Sequence, residues 1–272
     1  MKKLALLFLL PLMACGQKPD NAWLGYGEGD TVFVAAPQPG WVEEMKVARG
    51  TAVHRGDLLF VLDTTAQQAG RDQAKGALVQ ARAALAQEKS NLVYTRTELR
   101  RQQGLARAGA GTPTELDAAL TSYQQSAARI AQLQASIAQM EASLSGAAYS
   151  LSQRQIVAAT DGPVQDIYFW PGEYVPASTA VVSILPPANV YARFFVPEAQ
   201  LAGVHLGQKV RITCDGCKPM TATITFIAQQ AEFTPPVIFS IGNREKLVYK
   251  LEARAPGGLA LHPGQPIDVR PL

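Results

Sequence analysis

One stretch of this chain occurs twice. Residues 34–62, VAAPQPGWVEEMKVARGTAVHRGDLLFVL, align with residues 157–184, VAATDGPVQDIYFWPGEYVPASTAVVSI, with one gap. Gly40 falls opposite Gly162, Val42 opposite Val164, Gly50 opposite Gly172, Val53 opposite Val175 and Leu62 opposite Ile184. Each copy reads as short β-runs separated by glycine turns, with valines at alternating positions. Tight turns between short strands need positive φ, which glycine adopts cheaply. Neither copy has enough apolar surface to be stable alone, so the two are expected to pack face to face as a flattened sandwich. The segment between them, residues 64–155, is far too long to be a loop. A chain built this way is a small β-domain split by an insertion.

The insertion reads as helix. Ala and Gln, both strong helix formers, crowd this stretch. In the first arm Leu78, Leu85, Leu92 and Leu99 recur every seven residues. In the return arm Leu116, Leu120, Tyr123, Ala127, Ile130, Leu133, Ile137, Met140, Leu144, Ala147 and Leu151 step by four and three, with one stammer between Ile130 and Leu133. Residues 104–113, GLARAGAGTP, separate the arms with three glycines and a proline. Thr112 fits an N-cap, Pro113 the first helical position and Glu115 the acidic partner of a capping box. Two arms of nearly equal length around one breaker form an antiparallel coiled-coil hairpin, about 55–60 Å per arm. Gly70 and Gly76 in the opening turns predict fraying or a bend there.

The repeated segments resemble the two halves of a biotinyl/lipoyl domain. In enzymes that carry this domain the modified lysine sits on the hairpin joining the halves. Here that position, after Leu62 and Asp63, is where the insertion starts, and Met45-Lys46 lies mid-half, before Gly50. The resemblance therefore implies a lipoyl-like scaffold with no prosthetic group. The tip of the helical hairpin is similar to the motif by which HlyD-type periplasmic adaptors, the membrane fusion proteins, dock onto TolC-type outer-membrane channels. That motif has an Arg, a Leu four on and a Ser seven further; Arg101 and Leu105 match it, and Thr112 replaces the Ser. Taken singly, Arg101 also reads as a solvated helix arginine, Leu105 as the last seam residue and Thr112 as an N-cap.

After Pro186-Pro187, residues 190–196, 209–213, 222–227, 246–252 and 266–270 alternate with period two, and residues 196–203 read as a short helix with Glu198 in its first turn. The pattern suggests a small β-barrel, similar to the barrel that follows the lipoyl domain in the same adaptor family. Residues 207–240 are most like the adaptors that partner ABC-type exporters. The pair Cys214 and Cys217 can be redox-active, half of a zinc site, or a disulfide stapling a turn. Zinc needs four ligands, and His54, His205 and His262 are scattered singly. A thioredoxin-like pair needs a helix start, whereas this one joins two strands through Asp-Gly. Export favours the disulfide over free thiols.

Export itself is read from the N-terminus. Met1-Lys2-Lys3 is followed by an apolar run over residues 4–13, interrupted only by Pro11 and too short to span a bilayer. Leu12-Met13-Ala14-Cys15 resembles the bacterial lipobox, in which Cys15 would be acylated and become the mature N-terminus; a plain secretory signal is the alternative. The formal net charge of +3 gives no polyanion-binding signature. No triad, P-loop, metal cluster or paired-carboxylate arrangement is apparent.

The expected fold is α+β: a lipoyl-like β-sandwich split by a long antiparallel α-helical coiled-coil hairpin, followed by a small β-barrel domain. The expected divisions are a signal peptide and acylated cysteine over 1–15, a linker over 16–32, lipoyl-like halves over 33–63 and 156–185, the hairpin over 64–155 with its tip at 104–113, and the barrel over 186–272. The family resemblance implies a non-enzymatic periplasmic adaptor without cofactors, ring-forming and lipid-anchored to the inner membrane. Its implied partners are an inner-membrane transporter, with an ABC permease favoured and an RND pump open, and a TolC-like channel. A lipid-anchored coiled-coil scaffold remains the alternative. A biotin- or lipoate-bearing enzyme subunit lacks its lysine.

Overall fold

The computed structural model describes residues 22–233 and 247–272 of the 272-residue chain. Cys15, the signal segment and residues 234–240 of the exporter-adaptor-like stretch lie outside the described residues. The chain divides into two compact units, one of residues 32–184 and one joining the N-terminal segment up to Thr31 with residues 185–272. The first strand, β1 (Trp23–Gly29), belongs to the second of these.

The repeat builds the first unit. Its first half supplies β2 (Val32–Ala35), β3 (Gly40–Met45), β4 (Ala52–Val53) and β5 (Leu58–Leu62). After helices α1 (Thr65–Arg107) and α2 (Pro113–Ser152), its second half supplies β6 (Gln155–Val157), β7 (Gly162–Ile167), β8 (Tyr174–Val175) and β9 (Ala180–Ile184). The halves do not form one sheet each. They exchange strands into two four-stranded sheets, β2-β9-β7-β4 and β6-β5-β3-β8. The registers repeat as well: Val42 pairs Leu62 and Val164 pairs Ile184, each followed by a bulge at the same place. The matched turn glycines Gly50 and Gly172 have φ of 82° and 90°. Between the sheets lie Val42, Leu59, Phe60, Leu62, Val164, Val175, Val182 and Ile184, all buried.

The insertion leaves this sandwich through side-chain locks. Asp63 Oδ1 accepts from the Thr65 amide at 3.0 Å and the Thr65 hydroxyl at 2.7 Å, satisfying donors at the start of α1. At the return, the buried Arg154 donates from Nη1 to the Pro39 carbonyl at 2.8 Å, while its own carbonyl accepts from Leu62 N at 2.9 Å. Its guanidinium fills the space a Cβ at Gly40 would need, so this glycine of the repeat serves close packing. α1 runs unbroken through Gly70 and Gly76 for 43 residues. The two arms span about 60–65 Å.

The hairpin seam follows the heptads with one shift. Leu78, Leu99 and Ala119 are buried, but Leu120 is 40% exposed, so Ala119 takes the inward place the sequence assigned to Leu120. Thr95 and Ser126 are buried in the same seam. Ser126 Oγ donates to Glu88 Oε1 at 2.7 Å and accepts from Asn91 Nδ2 at 2.8 Å, a polar bridge between the arms.

The second unit is a barrel. Its strands are β1, β10 (Val190–Pro197), β11 (Lys209–Thr213), β12 (Met220–Ile227), β13 (Glu232–Phe233), β14 (Leu247–Arg254) and β15 (Pro266–Pro271), with a one-turn helix α3 (Glu198–Leu201) after β10. The order β10-β1-β15-β11-β12-β14 closes through β10–β14 pairing, which leaves no free edge in the six-stranded ring, and β13 adds to β14. Phe194, Val196, Ile212, Ile224, Leu251 and Val269 fill it, and Trp23 stacks on Phe194 at 5.7 Å. Residues 16–32, expected as linker, thus contribute a barrel strand over Trp23–Gly29. Arg193 ties that strand in, donating to Glu28 and Glu252 at 3.0 Å each.

Candidate docking tip

The far end of the hairpin is built from the last turns of α1, a five-residue loop and the first turn of α2. The loop reverses through Gly109 at φ 73°. Orphan carbonyls of α1 are satisfied as the chain turns: Ala108 N donates to Gly104 O at 3.1 Å and Ala110 N to Leu105 O at 3.0 Å. Gly111 passes close above α1, where a Cβ would lie 3.1 Å from Ala106 N and 3.3 Å from the Leu105 Cβ. Any side chain there would push against the base of Leu105.

Thr112 starts α2 as the sequence suggested. Its Oγ1 accepts from the Glu115 amide at 3.3 Å and donates to Glu115 Oε2 at 2.7 Å, and its amide donates to the same carboxylate at 3.1 Å. These bonds from the Thr112 hydroxyl and amide hold the Glu115 carboxyl below its usual range. The hydroxyl is thus already engaged in a complete capping box with Pro113 following it.

Arg101 lies one turn before Leu105 on α1. Its Nη2 donates to Glu98 at 2.7 Å, the side chain being 66% exposed, and Gln102 donates to the same carboxylate at 3.0 Å. Arg101, ahead of Gln102, holds the Glu98 carboxyl below its usual range. Leu105 is 40% exposed, which sets it outside the seam. The tip therefore brings Leu105 and the Gly111-Thr112 segment together, with Arg101 bonded back along its own helix. Glu98 and Gly111 were not singled out from sequence. Glu98 stands three residues before Arg101, a spacing that signals an intrahelical pair.

Away from the tip, Cys214 and Cys217 are joined as a disulfide with Cα atoms 5.4 Å apart, bridging the turn between β11 and β12. Gly216 in that turn has φ 78°, and Gln265 Nε2 donates to Cys214 Sγ at 3.2 Å. Among the described residues no helix is long and apolar enough to cross a membrane.

Residues 77–154 match the family model described as RND MFP, alpha-helical hairpin domain. Over its length the chain is similar to a UPF0194 membrane protein of Citrobacter koseri, 28% identical across 93% of this chain and 89% of the relative. A UPF0194 membrane protein of Yersinia pestis is 29% identical across 93% and 90%. Among solved structures, MacA from Actinobacillus actinomycetemcomitans superposes with a TM-score of 0.72 at 21% identity, covering 92% of this chain and 78% of that one. The membrane fusion protein Spr0693 from Streptococcus pneumoniae R6 superposes with a TM-score of 0.57 at 17% identity, covering 92% and 98%.

Proposed function

We propose, for a chain that belongs to the membrane fusion proteins, the periplasmic adaptors of efflux systems, that it holds an inner-membrane transporter and a TolC-like outer-membrane channel in register. The observation that carries this reading is the tip, where Leu105 stays 40% exposed against Gly111 at the turn of the hairpin, next to the Thr112 cap. An apolar knob beside a guanidinium and a hydroxyl on a convex tip suits a groove between channel helices. Arg101 and Thr112 would exchange their present partners, Glu98 and Glu115, for groups on the channel.

In this reading the chain contributes geometry rather than chemistry, with no enzymatic step and no cofactor. Copies would associate into a ring around the conduit, and acylated Cys15 would anchor each copy to the inner membrane. An ABC permease is the favoured transporter, supported by the resemblance of residues 207–240. The RND description of the matching hairpin model favours an RND pump as the second reading.

In-cell chemical cross-linking followed by affinity purification of the full chain tests the assignment. The outer-membrane channel and one inner-membrane transporter should purify together, and the transporter's class decides between ABC and RND. Recovery of self-association alone would leave only a lipid-anchored scaffold.

A further inference from the structure

The two halves of the repeat turn alike and present opposite chemistry. In the first half the chain passes from β3 to β4 through residues 46–52, KVARGTA, and in the second from β7 to β8 through residues 168–174, YFWPGEY. The backbones match bond for bond. Lys46 N donates to Leu59 O at 2.8 Å, as Tyr168 N does to Val181 O at 2.9 Å. Gly50 N donates to Val164 O and Gly172 N to Val42 O, both at 2.8 Å. Val164 N donates back to Thr51 O and Val42 N to Glu173 O, both at 2.9 Å. Even the side-chain bond recurs: Thr51 Oγ1 accepts from Ala48 N at 3.3 Å, and Glu173 Oε2 from Trp170 N at 2.8 Å.

Folding therefore explains what the turns share and not where they differ. Ala48 and Ala52 close the first turn, so the second needs neither Trp170 nor Tyr174 in the matching places. Both rings are nonetheless present and 51% exposed, and Trp41 on the adjoining β3, 56% exposed, meets Tyr174 edge-on at 5.4 Å. Large exposed rings gathered in one patch have the composition of an interface centre rather than of a solvated turn. The first turn offers the counterpart. Arg49 is ion-paired with Asp166 and donates to the Ile167 carbonyl at 3.5 Å, yet its side chain stays 59% exposed. A guanidinium held by its N–H edge keeps planar faces for stacking on an aromatic ring. Lys46, paired with Glu44, adds a second cation to this turn, while Glu173 gives the aromatic turn a carboxylate.

We propose that the Arg49 turn of one copy docks on the patch of Trp41, Trp170 and Tyr174 of the next, with Arg49 stacking on the rings beside Glu173. The basic turn is bonded to β7 in one sheet and the aromatic turn to β3 in the other, so each copy engages two neighbours, one through each turn. Contacts between unlike surfaces run head to tail, and their closure yields a ring. The inference rests on the reading that copies form a ring, and assigns to that ring its contact surfaces and their polarity. A repeated β-half with one backbone and two turn chemistries thus supplies both sides of the joint.

Disulfide trapping of the full chain in cells tests this, with Ala48→Cys and Pro171→Cys, both at exposed positions, combined in one chain so that Arg49 and Trp170 remain. A ladder of oligomers beyond the dimer should form, and neither substitution alone should give one. Trp170→Ala, which gives the second turn the residue the first already uses, and Arg49→Gln should each weaken self-association by roughly tenfold in sedimentation, with the sheet signal in circular dichroism unchanged. Tyr149→Ala, at an exposed position on α2, should leave association unaltered. Amine-reactive cross-linking of the unsubstituted chain reads association separately. Oligomers there without the cysteine ladder would overturn this contact and leave ring formation standing, whereas monomers alone would overturn both. A ladder that stops at the dimer, or cross-linking by one cysteine equal to that by the pair, would contradict head-to-tail docking.

Discussion

The sandwich and the hairpin it carries are held together in different ways. In the sandwich, Leu59, Phe60, Leu62 and Ile184 are fully buried between two sheets, and matching registers pair β3 with β5 and β7 with β9. The hairpin is longer, yet its seam buries only scattered apolar side chains such as Leu78, Leu99 and Ala119. Polar groups share the seam, with Ser126 bridging Glu88 and Asn91. A deep apolar core resists unfolding. A thin seam with polar bridges instead specifies alignment, much as a single buried polar residue sets register in a coiled coil. For a projecting arm, alignment is what matters, because a slip of one turn moves the tip by about 5 Å.

That contrast breaks if substitutions in the two regions have equal effect. Phe60→Ala in the sandwich should cost about 3–5 kcal/mol and lower the denaturation midpoint of the whole first unit. Leu99→Ala in the seam should cost about 2 kcal/mol, visible as lost helical circular dichroism before the sandwich melts. Thr112→Ala removes the capping box at the tip and should cost about 1 kcal/mol, with amide exchange quickening only in the first turns of α2. An equal cost at Phe60 and Leu99 would erase the distinction.

Acid should sharpen it. Glu88, Glu98 and Glu115 on the hairpin, and Asp63 at its junction with the sandwich, are held below their ordinary pKa values, chiefly by the Ser126 hydroxyl, Arg101, the Thr112 hydroxyl and the Thr65 amide in turn. A carboxylate with a lowered folded-state pKa stabilises fully above its unfolded value, and that contribution fades as pH falls through the folded one. Below the ordinary glutamate value of 4.5 the hairpin should therefore lose helicity before the sandwich loses its sheet signal, and by a small amount, since Asp63 and Glu115 are exposed and Glu88 and Glu98 only partly covered. A sandwich that melts first on acidification would contradict this order.

Much of this architecture was legible because its signals are periodic. The repeat, the heptads and the alternating strands each state a period that one fold satisfies. β1 was not legible, for two physical reasons. Its barrel partners β10 and β15 lie far along the chain, and its sequence, WLGYGEG, reads as loop. The glycines answer crowding instead: a side chain at Gly25 would strike the Arg193 carbonyl and Phe194, and one at Gly27 would meet His262. The exchange of Leu120 for Ala119 shows a similar limit, since heptad counting ranks leucine above alanine while close approach of the arms admits the smaller residue. At the tip, sequence located Arg101, Leu105 and Thr112, but not that Glu98 and Glu115 already hold two of them.

Cysteine cross-linking in cells tests the adaptor reading most directly. Leu105→Cys and Thr112→Cys in the full chain should each form a disulfide-sized cross-link to a TolC-like channel bearing cysteines in its periplasmic helical grooves. A cysteine at Val93, exposed on α1 three turns before Leu105, should form none. Cross-links at the Val93 position equal to those at the tip, or tip cross-links confined to copies of this chain, would contradict docking by the tip.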